Sequence, residues 1–151
     1  MSEPLKEKIL IILRGAPGSG KSFKSKELEQ WFKEKYCCHS FTVHSADTWF
    51  MQGSRYVFDP TELKDAHKYC RTGVESSAGH GVQVIVVDNT NLASWEYKPY
   101  IAIADKFGYK VYQLICAGEY ENIHGVPPEK VLQMKDRFET DETLPEFKME
   151  T

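Results

Sequence analysis

Residues 9–22, ILIILRGAPGSGKS, join a run of isoleucines and leucines to a glycine-rich segment. A continuous apolar run of this length is typical of a strand that is buried on both faces, as in a parallel sheet. The residues that follow, FKSKELEQWF (23–32), place apolar side chains near helical spacing, with lysines and glutamates between them. The stretch therefore predicts a strand, a tight loop and a helix in direct succession.

The glycine-rich segment GAPGSGKS (15–22) satisfies the pattern GxxxxGK[ST] in full and in the required strand–helix context. Glycines there let backbone N–H groups turn inward around a phosphate, and the helix N-terminus adds its positive end. Lys21 would reach the β- and γ-phosphate oxygens, and the Ser22 hydroxyl would bind Mg²⁺. The motif predicts binding of ATP, or another nucleoside triphosphate, with magnesium. The predicted nucleotide site comprises Gly15, Ala16, Pro17, Gly18, Ser19, Gly20, Lys21 and Ser22.

Strand-like and helix-like segments alternate along the rest of the chain. Three further apolar runs have strand length, at 41–45, 82–87 and 110–116. Helices are expected to begin at 59–62, near 95 and at 127–128. This alternation predicts an α/β fold of the three-layer P-loop NTPase type, with a four-stranded parallel sheet flanked by helices. Ligands of such a sheet bind at the carboxyl ends of its strands.

The bulk composition is that of one soluble globular domain: 151 residues, 41% hydrophobic and 27% charged. The net charge of −3 disfavours a protein that wraps long nucleic acid, but it permits a small basic cleft that holds a nucleotide or a strand end. No apolar run approaches the ~20 residues of a membrane span. The opening residues MSEPLKEK also lack the apolar core of a signal peptide. We therefore expect a cytoplasmic protein, with the nucleus as an alternative.

The charge pattern divides the chain into two parts. We predict a P-loop kinase-like domain over residues 1–138. The tail over residues 139–151 contains five acids and one lysine, so we expect it to be mobile.

A second phosphate-site residue is expected at the end of another buried strand. The segment VIVVDNTN (84–91) supplies Asp88 there, where proteins with this loop hold magnesium. Asn89, Thr90 and Asn91 extend polar groups into the same cleft. The alternative is that Asp88 only begins a turn.

The motifs in their order resemble the small P-loop polynucleotide-kinase-like family, which includes the kinase domains of phage-type polynucleotide 5′-kinases. The resemblance covers residues 9–138 and rests on these segments: GAPGSGKS, the acid after the second strand (45–47), YVFDPTELKDAH (56–67), VDNTNLASWE (87–96) and IHGVP (123–127). It implies ATP as phosphate donor. It also implies a 5′-hydroxyl end of DNA or RNA as acceptor, or a nucleotide or small molecule as in related kinases.

The resemblance also assigns an acceptor side. Asp47 matches the family's essential acid and suits a general base that accepts the proton of the attacking hydroxyl; the alternative is that it only caps the next segment. We predict Lys21, Asp47 and Asp88 as catalytic residues, and Asp47, Arg55 and Asn91 as residues that contact the acceptor. The aromatic residues Trp49, Phe50 and Tyr56 could stack on a base or could cover the edge of the sheet.

Two departures from the family pattern concern arginines. The family's arginine three residues after the catalytic acid is replaced by Phe50, and Glu121 stands where the family's lid arginine is expected, in a shortened lid. An arginine that neutralises the transferring phosphate contributes roughly 10³–10⁵ in rate. The possible substitutes are Arg14, Arg55, Arg71 and Arg137, each of which could instead be a solvated surface charge. We predict that Arg137 reaches the nucleotide.

Two functions from different classes follow from these features. The first is a Mg·ATP-dependent kinase that transfers the γ-phosphate to a 5′-hydroxyl of a nucleic acid or nucleotide. The second is a nucleotide-binding module that has lost the lid and the chemistry and acts through a protein partner.

Overall fold

The structure is a computed structural model that describes residues 3–16, 20–37, 40–116, 128–136 and 138–149. Its centre is a sheet of four parallel strands: β1 (Ile9–Arg14), β2 (Phe41–His44), β3 (Val84–Asp88) and β4 (Lys110–Ile115). Their order across the sheet is β2–β3–β1–β4. The predicted four-stranded parallel sheet of an α/β fold is confirmed.

Three helices cover the two faces of this sheet: α1 (Lys21–Lys35), α2 (Leu63–Gly79) and α3 (Ser94–Phe107). The structure also contains α4 (Pro128–Asp136) and two short 3₁₀ turns, at Ala46–Phe50 and Pro60–Glu62. Asp59 caps the second turn by accepting a hydrogen bond from the Thr61 N–H at 2.9 Å. That cap is the predicted helix start, although a 3₁₀ turn precedes α2.

The strand residues alternate between two hydrophobic clusters because successive side chains point to opposite faces. Leu10 and Ile12 of β1 pack with α2 and α3, whereas Ile11 and Leu13 pack with α1. Every residue of β1 is buried. The central position of β1 explains this, because β3 and β4 flank it on both sides.

Two pairs of very short strands lie outside the central sheet. Glu3–Pro4 runs parallel to Tyr36–Cys37, and Met51–Gln52 forms an antiparallel hairpin with Arg55–Tyr56. The hairpin follows directly after the 3₁₀ turn Ala46–Phe50 at the end of β2, so it lies beside the carboxyl edge of the sheet.

The acidic tail is packed against the fold over its described part. Gln113 of β4 accepts a backbone hydrogen bond from Phe147 at 2.8 Å, and its own N–H donates to Pro145 at 2.9 Å. Leu144 and Phe147 are buried, one in each hydrophobic cluster. The tail was predicted to be mobile, but its described residues, 139–149, pack against β4 and the core, because apolar side chains lie among its acids.

Within the described ranges, none of the helices has the length and apolar character that a membrane crossing requires.

Candidate functional site

The described part of the phosphate loop lies between the end of β1 and the N-terminus of α1. Gly20 adopts a left-handed conformation with φ 93°, and α1 begins at the next residue, with no acid in its first turn. The Lys21 ammonium donates hydrogen bonds to the carbonyls of Gly15 at 2.8 Å and Ala16 at 3.1 Å. The predicted loop residues Pro17, Gly18 and Ser19 lie outside the described residues. The positive end of α1 and the Lys21 amine thus face the loop, where an anion would be stabilised.

Lys21 interacts electrostatically with both predicted acids. Burial lowers the pKa of Lys21, and the charges of Asp88, Cys116 and Asp47 raise it in opposition. The three residues named as catalytic by the sequence, Lys21, Asp47 and Asp88, are therefore close enough for their charges to interact. They come from three different segments: α1, the turn after β2 and the end of β3.

Asp88 and Ser22 are the oxygen donors that could hold magnesium. Asp88 ends β3 and lies opposite Leu13 of β1 in the sheet register, and Ser22 is exposed in the first turn of α1. Among the described residues, no group of three or more His, Cys, Asp or Glu side chains could hold a metal. This donor set fits Mg²⁺, which usually takes one or two protein oxygens and fills its shell with water and substrate phosphates.

Asn91 is a structural residue of the loop after β3. Its side chain is 1% exposed, and its amide donates to the carbonyls of Leu13 at 2.8 Å and Asn89 at 3.3 Å. Its backbone adopts a positive φ of 46°, which asparagine tolerates better than most residues. The predicted contact between Asn91 and an acceptor does not fit this burial. Asn91 instead fastens the loop after β3 to the strand that precedes the phosphate loop.

Asn89 connects the same loop to the turn that carries Asp47. The Asn89 side-chain oxygen accepts a hydrogen bond from the Ala46 N–H at 2.8 Å. Its side-chain nitrogen lies 3.4 Å from the Tyr100 hydroxyl and 3.5 Å from the Cys70 sulfur. Asn89 is buried, so these contacts fix the position of the turn relative to β3.

Asp47 lies in the 3₁₀ turn Ala46–Phe50 and is held by two neighbours. Ser45 caps the turn by accepting from the Asp47 N–H at 3.2 Å. The Tyr56 hydroxyl donates to the Asp47 carboxylate at 3.2 Å. Burial, followed by the charge of Asp47 and this hydrogen bond, raises the pKa of Tyr56 far above its ordinary value. The sequence placed Tyr56 only among stacking residues, and no pattern in it indicated the contact with Asp47.

Arg14 is a buried structural residue and cannot serve as a substitute for the lid arginine. It is 0% exposed, and its guanidinium donates to the carbonyls of Asn91, Leu92 and Glu139 and to the Gln113 side chain. The rings of Tyr97 and Phe138 lie 4.7 Å and 4.3 Å from it. The expectation of a solvated surface charge is wrong here, because all of these donors are used inside the protein.

The other predicted cations differ in position. Arg55 is exposed on the hairpin. Arg71 is half-buried on α2. Burial lowers the pKa of His67 most, the charge of Arg71 lowers it further, and the charges of Glu96 and Asp47 raise it. Arg71 therefore lies near the cleft. Arg137, Glu121, the rest of the shortened lid and the IHGVP segment lie outside the described residues.

Comparison with known proteins shows the family. The family described as "AAA domain" matches residues 10–125 of this chain, which covers every segment of the site described above except the tail. The chain belongs to this AAA domain family. A human relative, NEDD4-binding protein 2, is 33% identical over 146 residues, and the match covers 91% of this chain. The chain spans only 8% of that relative's length.

Solved structures with the same fold include nucleotide-binding proteins and kinases. Chaetomium thermophilum Kti12 in complex with ADP-AlF3 has a TM-score of 0.64 at 15% identity, covering 91% of this chain and 88% of Kti12. Mycobacterium tuberculosis APS kinase CysC has a TM-score of 0.55 at 14% identity, covering 86% of this chain and 96% of that one. A chain of the Pnkp1/Rnl/Hen1 RNA repair complex has a TM-score of 0.54 at 17% identity, covering 97% of this chain and 40% of that one. At such identities the likeness shows the fold alone, a P-loop kinase-like nucleotide-binding fold.

Proposed function

We propose that this AAA domain is a Mg·ATP-dependent phosphotransferase that moves the γ-phosphate to the 5′-hydroxyl of a nucleic-acid end or a nucleotide. The observation that carries the proposal is the position of Asp47. It lies close enough to Lys21 for their charges to interact, yet on a different segment, where Asn89 and Tyr56 hold it. A protein that only binds a nucleotide has no need of this second, oriented carboxylate.

The proposed step is an in-line displacement at the γ-phosphorus. The Asp47 carboxylate accepts the proton of the acceptor hydroxyl, whose oxygen forms a bond to the γ-phosphorus. The bond from the γ-phosphorus to the bridging oxygen breaks, and ADP leaves with the electron pair. Lys21 stabilises the charge that develops on the β- and γ-phosphate oxygens. A general base of this kind contributes roughly 10²–10⁴-fold in rate.

Magnesium would be held by the Ser22 hydroxyl and, through its outer shell, by the Asp88 carboxylate. When bound, Mg²⁺ neutralises charge on the phosphate oxygens. The protein's own contribution is to orient these two oxygens from the ends of two adjacent elements, α1 and β3. The fit rests on the donor chemistry described above.

A nucleic-acid acceptor is supported by the order of the motifs, which resembles that of polynucleotide 5′-kinases. A chain of an RNA repair complex has the same fold, but so does APS kinase, so the fold alone does not select the acceptor. Phe50, at the position of the family's acceptor-binding arginine, is buried in the core. We therefore propose that Arg71, the half-buried arginine on α2 near His67, supplies positive charge to the cleft.

Transfer of label from γ-labelled ATP tests the proposal. The acceptors are 5′-hydroxyl DNA and RNA oligomers, nucleosides and nucleoside monophosphates. Lys21→Ala should abolish transfer, and Lys33→Ala, which removes a surface lysine paired with Glu29 at the other end of α1, should leave it intact. Absence of transfer to every acceptor by the unaltered protein would disprove the proposal.

The second candidate function is a nucleotide-binding module that acts through a protein partner. The burial of Phe50 favours this second function. The family resemblance places an acceptor-binding arginine at that position, but the phenylalanine side chain is buried in the core. The two candidates differ at Asp47. A binding module keeps its biological effect when Asp47 is changed to Asn, whereas a kinase loses it.

A further inference from the structure

Exposed apolar side chains are concentrated beside Asp47. Of the eleven large apolar residues that are exposed in the described part of the chain, six fall between residues 49 and 69. They are Trp49, Met51, Val57, Phe58, Leu63 and Tyr69. Exposed apolar residues that occur singly need no explanation, but a cluster of them marks a binding surface.

Three of these residues form what we call the aromatic shelf: Trp49, Val57 and Phe58. Trp49 and Val57 line a cavity of about 240 Å³ together with Phe50, Gln52 and Glu62. Phe58 packs against Phe50 with their ring centroids 5.1 Å apart. Phe58 itself is 47% exposed, so one part of its ring surface is free of the core and open to a ligand.

The shelf is continuous with the proposed site of phosphate transfer. Trp49 belongs to the same 3₁₀ turn as Asp47. The ring of Tyr56, whose hydroxyl donates to Asp47, is nearly parallel to Phe58, with an interplanar angle of 11° and centroids 6.4 Å apart. A nucleoside with its 5′-oxygen at Asp47 would therefore place its own base against this surface.

The polar groups around the cavity indicate which part of the acceptor binds there. Gln52 and Glu62 line it, and the Trp49 indole N–H donates to Glu62 at 3.3 Å. An acid repels a phosphate but can accept hydrogen bonds from the amino and imino groups of a base. The combination of flat aromatic surface, an amide and a carboxylate suits an uncharged planar ring system, since aromatic side chains bind bases by stacking.

We infer that the aromatic shelf binds the terminal nucleobase of a single-stranded 5′-hydroxyl acceptor by stacking, with Phe58 as its main exposed ring. The inference rests on the proposed function and deepens it, because it names the part of the acceptor that the protein grips. The occupant is the base of the same nucleotide whose 5′-oxygen meets Asp47. Sequence choice at that end then depends on Gln52 and Glu62.

The test measures binding of single-stranded 5′-hydroxyl oligomers, labelled at the 3′ end, by fluorescence anisotropy with a non-hydrolysable ATP analogue present. One oligomer ends in a normal nucleotide and the other in an abasic residue that keeps the 5′-hydroxyl. The protein should bind the base-ended oligomer roughly 5- to 150-fold more tightly, the range expected for one stacked base.

Phe58 variants separate stacking from simple apolar contact. Phe58→Leu keeps an apolar side chain but lacks the ring, so it should lose most of the preference for the base-ended oligomer. Phe58→Trp should keep the preference. Trp95→Leu is the matched control, because Trp95 is 69% exposed on α3 and lies outside the shelf. It should bind like the unaltered protein.

Equal affinity for the two oligomers, or a Phe58→Leu variant that keeps the preference, would overturn the inference and leave the shelf as a docking surface for protein. A parallel transfer assay separates this failure from failure of the proposed function. If the protein phosphorylates both oligomers with equal KM, the kinase proposal stands and the shelf proposal falls. If it binds base-ended oligomers selectively but transfers nothing, the shelf stands and the kinase proposal falls.

Discussion

The two sides of the cleft are built in different ways. The described part of the nucleotide side, residues 15–16 and 20–22 with the loop 88–91, is held by buried hydrogen bonds: the Gly15 N–H donates to the Thr90 carbonyl at 2.9 Å, and the Asn91 side chain donates to the Leu13 carbonyl. The acceptor side, residues 45–58, consists of a 3₁₀ turn and a short hairpin that carry exposed aromatic side chains. In the proposed mechanism the nucleotide side binds phosphate largely through backbone groups, whereas the acceptor side binds its substrate through side chains.

In this account the nucleotide side is responsible for phosphate transfer, and the acceptor side is responsible for the choice of substrate. Backbone amides around a phosphate tolerate little change in the chain path, so a short motif is enough to predict them. An exposed hairpin tolerates substitution, because loops contribute less to the core. We therefore expect substitutions on the acceptor side to change the choice of substrate without altering the phosphate site. Asn89 is the residue that joins the two sides.

The largest effect on stability is expected beside the nucleotide side, at Arg14, the last residue of β1, which donates to the Asn91 carbonyl. Arg14→Met removes a buried guanidinium that satisfies four acceptors, three of them backbone carbonyls. Buried acceptors without partners are costly, so the free energy of unfolding should fall by about 3–5 kcal/mol. Urea unfolding followed by circular dichroism measures the loss.

Arg55→Met is the matched control for Arg14. Arg55 is exposed on the hairpin, so its replacement should change the free energy of unfolding by less than about 0.5 kcal/mol. Equal effects of the two substitutions would show that the contrast in burial between the two sides has no energetic consequence.

A smaller effect, on both stability and activity, is expected at the join between the two sides. Asn89→Ala removes the acceptor of the Ala46 N–H, which should lower the free energy of unfolding by about 1–3 kcal/mol. Phosphate transfer should fall because the turn that carries Asp47 loosens, whereas ATP affinity should stay near that of the unaltered protein. Calorimetric ATP titration beside the transfer assay measures both. Gln30→Ala, an exposed amide on α1, is the control, and a loss of ATP affinity in Asn89→Ala would contradict this assignment.

The smallest effect is expected on the acceptor side, at Tyr56. Its hydroxyl donates to the Asp47 carboxylate and so helps to hold that carboxylate in one orientation. Tyr56→Phe removes this hydrogen bond, so the rate of transfer should fall by roughly 2- to 10-fold, the contribution of one hydrogen bond, while Mg·ATP affinity stays unchanged. The transfer assay and a calorimetric ATP titration measure the two quantities.

Tyr109→Phe is the control for Tyr56, because the Tyr109 hydroxyl donates to the Val82 carbonyl and does not contact Asp47. Its rate of transfer should match that of the unaltered protein. A Tyr56→Phe variant that transfers phosphate at the original rate would show that this hydrogen bond has no role in the reaction.

The sequence predicted the strand before the phosphate loop, the helix after it and the strand-end position of Asp88, because these features depend on local pattern. A buried strand, a glycine-containing loop and a helix are contiguous in the chain, and Asp88 follows a short apolar run that is typical of a buried strand. Adjacent parallel strands bring their carboxyl ends together. The meeting of Lys21 with Asp88 and Asp47 therefore follows from strand order, which the structure confirms for the sheet itself.

What the sequence failed to predict depends on long-range contacts. Arg14 carries a charge, so it was expected at the surface. In the structure its guanidinium is buried and donates hydrogen bonds to carbonyl oxygens of the loop after β3 and of the tail. The tail was predicted to be mobile from its acidic residues, but its Phe147 stacks on Phe32 with ring centroids 5.4 Å apart. Asn91 was judged by its polar side chain, whereas the fold uses that side chain internally. In each case the partner lies far away in the chain, and composition gives no information about it.

The central claim is that Asp47 acts in transfer and not in nucleotide binding. The most direct measurement compares Asp47→Asn with the unaltered protein in two assays: Mg·ATP affinity by calorimetry, and transfer from γ-labelled ATP to 5′-hydroxyl oligomers. We predict unchanged affinity, within about twofold, and a rate that falls by roughly 10²–10⁴-fold, the contribution of a general base. Transfer that persists at the original rate would contradict the account. So would a loss of ATP affinity that accounts for the whole loss of rate.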